Sequence, residues 1–446
     1  MFVERTHTDV DIRVGRSRSL AALALAAAVA VVGAACGGST STGTSGSSGA
    51  SASGQTLNIG VIYPYTGANA DQGAVGMAGC LAGIEQVNAA GGVLGARFAC
   101  KSFDTKGDPA DAVPAANQMM SSANPVMVIG ASDDAVATAP IVTGQHVTNF
   151  ATIGDPHFDK QTNPYFWRVS PSDALQGVAL GYWAAKHNMT HAAAVFTSDL
   201  GAQTSVPPLR TEYKRLGGKF TADVTLTPGQ SSYRTEVAQI IASHPDSLIS
   251  EMDPQSSTTF LSEYRQQAGQ LPVVLGTQRT SNSDWIQAVI AAIGAASFQK
   301  SIKSITPYVP LSGTGYDLFK TSLLGLGSQV QDPGQYVGQP YTIGDYDSVI
   351  IMALAMTAAN STSPRKYNSF ITKVTAQSSG ATVVHSYSDG LAALKAGKTI
   401  QYVGASGPLV FNKYHSAGRA FSYDDYDPNA QSMNPTSVIP GTALSG

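Results

Sequence analysis

Apolar residues along this chain fall into short runs, separated by stretches in which they recur every three or four positions. This alternation holds from residue 56 almost to the end. Residues 57–63 form a nearly continuous apolar run, the signature of a strand buried on both faces of a parallel sheet. A helical pattern over 73–90 follows and is stopped by Gly91-Gly92, which suit a left-handed C-cap. Residues 96–104 predict the next strand, and Pro109 opens a helix running to about 122. Strands at 125–129 and 149–153 flank a helix around 135–145. The series then restarts. Asp173 can cap a helix to 187, followed by a strand at 191–197, a helix at 202–216 ended by Gly217-Gly218, and a strand at 220–226. Helix 233–243, strand 246–251, helix 255–268, strand 273–276 and helix 284–294 continue it. Strands alternating with helices of this length predict a doubly wound α/β architecture, and two successive series predict two such lobes.

The first 55 residues break the pattern. Arg13, Arg16 and Arg18 precede an apolar run from Leu20 to Ala35, the order of an export signal and slightly short for a spanning helix. Cys36 stands at its edge, and an uncharged Gly/Ser/Thr tract continues to Gly54. This arrangement resembles the bacterial lipoprotein signal, in which the mature chain starts at an acylated cysteine. Residues 1–35 are then the signal, Cys36 the lipid-bearing residue and 36–54 a tether. As a Gly/Ser coil the tether reaches about 25 Å root-mean-square. The alternative is an ordinary secretory signal cut near Ala35, leaving Cys36 as a free thiol. Under the lipid reading the protein is held at the extracytoplasmic face of the cell membrane by several acyl chains, which anchor durably where one does not.

Removing the first 54 of 446 residues leaves 392, enough for two domains with cores of their own. The chain is 43% hydrophobic and 13% charged with net charge −3, so it offers no basic patch for nucleic acid. Residues 349–359 are apolar but too few to span a membrane, and read as a buried helix. With Cys36 assigned to lipid, Cys80 in a helix and Cys100 in the following strand remain as a pair in an oxidising compartment. A disulfide stapling the first strand–helix–strand unit is the expectation, and two buried free thiols the alternative.

Ligands of open parallel sheets sit outside the carboxyl ends of the strands, so candidate chemistry lies in the loops leaving each strand. In the first lobe these carry Tyr65 and Asp71, then Ser132, Asp133 and Asp134, then Thr152, Gly154 and Asp155. In the second lobe they carry Asp199, Asp253 and Gln278. Small polar residues with scattered carboxylates suit a small, polar, uncharged or cationic solute. Helix N-capping is the competing role for each acidic residue. Gly73, Gly76, Gly79 and Gly83 recur at helical spacing and predict close packing of that helix on the sheet. The stretch 392–399 reads A-x-x-x-x-G-K-T, yet a helix precedes the Gly-Lys-Thr, which is the wrong element order for a phosphate loop. No G-x-S-x-G elbow, H-E-x-x-H pair or metal-spaced histidine cluster occurs, so neither catalysis nor a metal or cofactor is expected.

Several motifs in order carry a resemblance. Gly60-Val61-Ile62 leads to Thr66-Gly67, and the first helix ends in Val87-Asn88-Ala89-Ala90-Gly91-Gly92-Val93-Leu94-Gly95. Asp104 with Asp108-Pro109 follows, then Phe166-Trp167-Arg168-Val169 with Ser172-Asp173-Ala174-Leu175-Gln176-Gly177, and finally Gly404-Ala405-Ser406-Gly407-Pro408-Leu409-Val410-Phe411-Asn412. Over roughly 56–430 the chain resembles the extracytoplasmic substrate-binding proteins of branched-chain amino acid ABC importers. The resemblance implies a type I periplasmic-binding-protein fold, two lobes joined by three crossings that close on the ligand as a hinged trap. It implies domains at 55–170 (first lobe), 171–303 (second lobe), 304–403 (first lobe again) and 404–446 (return to the second lobe and tail), with residues 392–411 as the last connection. It further implies a monomer that captures an amino acid or related small polar solute and delivers it to an ABC permease. A sensor of the same fold, reporting ligand to a membrane partner without transport, is the alternative. The family holds an amino acid's carboxylate with hydroxyls and amides at the loop that is 131–134 here, where this chain offers only Ser132 beside two acids. Gly154 stands where a small residue or Thr is usual, and Gln278 lies nearest the position of the acid that holds the ammonium.

Overall fold

The computed structural model describes residues 54–444 apart from 68, 131, 133 and 419. The export signal, Cys36, nearly all of the tether and Asp133 lie outside the described residues. The first lobe is built on strands β1 (Thr56–Tyr63), β2 (Arg97–Asp104), β3 (Met127–Gly130), β4 (Thr148–Ala151) and β5 (Phe166–Arg168), in the order β2-β1-β3-β4-β5. All four pairings are parallel. Ile59, Val61, Met127 and Ile129 enter the core on one face, whereas Ile62, Val128 and Ala151 enter the core on the other. Two buried faces are why β1 reads as an apolar run rather than an alternation.

The second lobe holds β6 (His191–Thr197), β7 (Lys219–Leu226), β8 (Ser247–Glu251), β9 (Val273–Gly276) and β10 (Ile302–Pro307) as parallel neighbours. The chain then returns to the first lobe. There β11 (Thr382–Val384), β12 (Ile400–Gly404) and β13 (Gly407–Pro408) form a small three-stranded sheet whose Val384, Ile400 and Tyr402 join the first lobe's core. A final hairpin, β14 (Phe421–Asp427) and β15 (Ser432–Ile439), adds antiparallel to β10 and completes a seven-stranded sheet.

Several expectations move. The boundary at 303/304 cuts β10, which stays in the second sheet to Pro307, so the second crossing starts at Tyr308. Ser304 and Thr306 made this strand look like a loop, but both hydroxyls are buried because they donate to the carboxylate of Asp424. The return at 404 comes too early as well. Leu409 and Ala417 still pack in the first lobe's core, and the second sheet resumes at Phe421, so the last connection lies at 417–420 rather than 392–411. The helix expected over 202–216 is two, Leu200–Thr204 and Val206–Arg215, because Pro207 and Pro208 fit only a fresh helix start.

The glycines of helix Asp71–Ala89 pack against more than the sheet. A Cβ at Gly76 would meet the Tyr63 ring, and at Gly79 and Gly83 it would meet Asp345 and Val349 of helix Pro340–Ala359 at 2.7 and 2.6 Å. Two helices thus approach closely along a small-residue face. Helix Pro340–Ala359 is long and apolar enough to span a membrane by composition alone, but its apolar window is 83% buried inside the protein. Cys80 of the first helix and Cys100 of β2 form a disulfide with Cα atoms 6.3 Å apart, as the sequence led us to expect. At the end of that helix Asn88 pairs with both the N–H and the C=O of Phe98, and Gly92 turns the chain at φ +76° toward β2.

Three crossings join the lobes. Residues 169–172 lead from β5 to helix Asp173–Lys186, the second crossing follows Pro307, and the third is 417–420. The third lies between the other two. Ala417 donates to the Arg168 carbonyl at 2.8 Å, and the Ala420 carbonyl accepts from Tyr308 at 3.0 Å. Arg168 is the anchor. Buried itself, it reaches Asp159 at 2.7 Å, Ser416 at 3.2 Å and the Asp155 carbonyl at 3.3 Å.

Candidate ligand-binding site

Between the lobes lies a cavity of about 80 Å³, walled by the carboxyl ends of strands from both sheets. The first lobe contributes Tyr63 at the end of β1, Ser132 after β3, and Thr152, Ile153 and Gly154 after β4. Asp71, Gln72 and Val75 come from the start of the first helix, and Gln339 and Tyr341 from the start of helix Pro340–Ala359. The second lobe contributes Asp173 and Gly201, then Glu251 at the end of β8, and Gln278, Arg279 and Asn282 after β9.

Five expected positions therefore line this cavity: Asp71, Ser132, Thr152, Gly154 and Gln278. Five described ones do not. Asp155, Asp199 and Asp253 spend their carboxylates on local backbone, accepting from the N–H of His157, Ala202 and Ser256 at 2.8, 3.0 and 2.9 Å. That is the capping role weighed against binding. The Tyr65 ring packs against the first lobe's core, while its N–H donates to Asp104, which also gathers Thr66 and Lys106. Asp134 is 2% exposed, and burial raises its pKa above the ordinary range against the Thr105 hydroxyl.

The floor is a buried network. The Tyr63 hydroxyl lies 2.7 Å from Thr152 Oγ1 and donates to Asp345 Oδ2 at 3.1 Å. Burial pushes the Asp345 carboxyl well above its usual pKa, with the Tyr63 and Thr152 hydroxyls acting against it. The Asp71 carboxyl is also raised, first by burial and then by the charge of Asp284, with Arg279 opposing.

Asp173 was expected to cap its helix. Instead Ser172 does so, accepting from the Ala174 N–H at 3.2 Å. Asp173 then folds back beside the fourth-strand loop, its N–H on the Gly154 carbonyl at 2.7 Å. Its carboxylate occupies the space that a Cβ at Gly154 would need. The glycine at that position is a steric consequence of the aspartate opposite.

Glu251 and Arg279 lie in second-lobe strand-end loops that the strand pattern marks, and Asn282 lies beside one of them. Gln339 and Tyr341 carried no strand-end signal; the Pro340 helix start would have pointed to them. The loop after β9 closes the rim. Arg279 Nη2 donates to Asn69 Oδ1 at 3.1 Å and Asn282 Nδ2 to Asp71 Oδ2 at 3.2 Å. Gln339 Nε2 donates to Asn282 Oδ1 at 2.8 Å, and Ser283 Oγ to Gln335 Oε1 at 3.1 Å. All four bonds cross between lobes. Among the described residues no cluster of three His, Cys, Asp or Glu could hold a metal ion.

Comparison with known proteins places this architecture. Residues 56–415 match the family described as periplasmic binding protein. An amino acid binding protein of Pseudomonas aeruginosa is 24% identical over 336 residues, 69% of this chain and 80% of that protein. Among solved structures, a leucine binding protein of Thermotoga maritima aligns with TM-score 0.67 at 18% identity, covering 86% of this chain and 98% of that one. The branched-chain amino acid transporter substrate binding protein of Streptococcus pneumoniae, in complex with isoleucine, aligns at 0.69 and 15%, covering 86% and 99%. A solute binding protein of an ABC transporter from R. palustris, in complex with benzoate, aligns at 0.66 and 15%, covering 86% and 96%. At these identities the solved structures speak for the fold.

Proposed function

The chain belongs to the periplasmic binding protein family, and from that premise we propose that it captures a small polar solute, an amino acid or related molecule, between its lobes and hands it to an ABC import permease. The observation that carries this reading is the interlobe cavity, lined by strand ends of both sheets, with a hydrogen-bonded rim at one side and three crossings at the other. Solute enters an open form and binds one lobe first. Contacts to Glu251, Gln278 and Arg279 on the other lobe then favour closure, a shift of population about the hinge. A ligand drives that shift only by its greater affinity for the closed state. The four rim bonds supply part of the closed state's stability, each worth about 1 kcal/mol.

We place the protein at the extracytoplasmic membrane face, tethered through a lipid on Cys36, where it can reach a permease. Replacing Cys36 with Ala should move the protein from the membrane fraction to the soluble one, and membrane retention of the variant would remove the anchor from the account. Solute capture itself is tested by calorimetric titration of purified protein with a panel of amino acids, amides, amines and aromatic acids. One-to-one binding of at least one member is expected; heat from none of them would sink the reading.

A further inference from the structure

Carboxylates and side-chain amide oxygens are prominent in the cavity wall. Asp71, Asp173 and Glu251 line it against a single cation, Arg279. The side-chain oxygens Gln72 Oε1 and Gln278 Oε1, both on lining residues, are buried and accept no hydrogen bond. A buried acceptor left unmade costs about 1–3 kcal/mol, so two of them in one cavity call for donors from whatever fills it.

Besides Ser132 and Arg279, the lining groups that could hold an anion are already engaged. The Thr152 hydroxyl is bonded to Tyr63. Gly154 has no hydroxyl, and the space beside it is filled by the Asp173 carboxylate. Helix N-termini are natural carboxylate sites, and three of them abut the cavity; in the two that begin at Asp71 and Asp173 the first N–H groups are engaged. In the first helix the N–H of Gln72 donates to the Asn69 carbonyl at 3.1 Å, and that of Gly73 to the Pro64 carbonyl at 3.0 Å. In helix Asp173–Lys186 the first N–H goes to Gly154 and the second to Ser172.

We propose that this cleft takes a cationic nitrogen solute, an ammonium or guanidinium compound without a free carboxylate, whose N–H groups meet the Gln72 and Gln278 oxygens and whose charge faces Asp71, Asp173 and Glu251. The inference rests on reading the cleft as the solute site, and adds the chemical class. A guanidinium offers five N–H donors in a plane and an alkylammonium three, matching several acceptors converging from both lobes. A carboxylate in the same place would face Asp71, Asp173 and Glu251 as well as Arg279.

Agmatine and putrescine, set against leucine and benzoate, separate the classes by thermal shift and calorimetry on the purified chain. Agmatine or putrescine should raise the melting temperature and bind at least tenfold more tightly than either carboxylate. That affinity should fall with added salt, and Glu251→Gln should weaken it at least tenfold. Leucine or benzoate binding where the two amines do not would overturn the inference and leave the cleft as the solute site. Silence from all four and from the wider panel would overturn both.

Discussion

Gly154 and Asp173 show how one side chain sets the identity of another across a cleft. Since any Cβ at 154 meets the Asp173 carboxylate, Gly154→Ala must push that group out of the cavity wall. We expect at least a tenfold loss of solute affinity by calorimetry, with the fold intact by circular dichroism; unchanged affinity would take Asp173 out of the site. Asp424 is one residue whose burial has a consequence for pH. It is 2% exposed, and burial pushes its carboxyl to about 6, even though the Ser422, Thr306 and Ser304 hydroxyls act in the other direction. Unfolded, the same carboxyl titrates near 4. Between those values the folded state binds the extra proton, so this group's contribution is fully present below about 4 and is lost as pH rises through about 6. Asp424→Asn lacks that loss. Its stability relative to the parent should therefore rise by about 2 kcal/mol between pH 4 and pH 8 in urea unfolding. A difference independent of pH would show that Asp424 is not the group responsible.

At the scale of elements, the parallel-strand pattern was legible because β1, β3, β6 and β9 are buried on both faces and so consist largely of apolar residues. Elements with internal polar partners were not legible. Residues 349–359 read as a buried helix from their apolar run, which Asp345 and Asp347 interrupt on its N-terminal side. The helix starts at Pro340, and both acids are fully buried inside it. Asp347 is saturated, accepting from Tyr402 at 2.7 Å, Ala405 N–H at 2.9 Å, Ser406 N–H at 2.8 Å and the Ser406 hydroxyl. It ties that helix to the turn between β12 and β13, and it fills the space that a Cβ at Gly404 would need. The Gly-Ala-Ser-Gly run that accompanied a loosened phosphate-loop pattern is a turn wrapped around a protein carboxylate. Asp347→Ala strands several donors in the core and should cost about 3 kcal/mol or more in urea unfolding. A cost below about 1 kcal/mol would mean the turn finds other partners. The site was legible to the same degree and for the same reason. The strand-end loops were visible, but which acid caps a helix and which faces the cavity depends on neighbours such as Ser172, which takes the capping role and leaves Asp173 for the cleft.

For the whole molecule the question is whether two sheets act as a trap. Their connections favour it: three adjacent segments, hydrogen-bonded to one another and pinned by the buried Arg168 guanidinium, offer an axis about which two rigid cores can rotate. Away from that axis the 278–283 loop of the second lobe clasps the first lobe, through Arg279, Asn282 and Ser283. Few polar bonds on one side and continuous chain on the other is the balance a reversible closure needs. Removing Asn282 breaks two of those bonds without touching either core. The central claim is tested most directly by the distance between one spin label on each lobe, measured by pulsed electron paramagnetic resonance with and without saturating amounts of the tightest-binding panel solute. Solute should convert a broad, longer distribution into a short, narrow one, and Asn282→Ala should return part of the population to the longer distance at the same occupancy. A distribution that stays the same while calorimetry shows the site filled would contradict closure of the lobes on the solute.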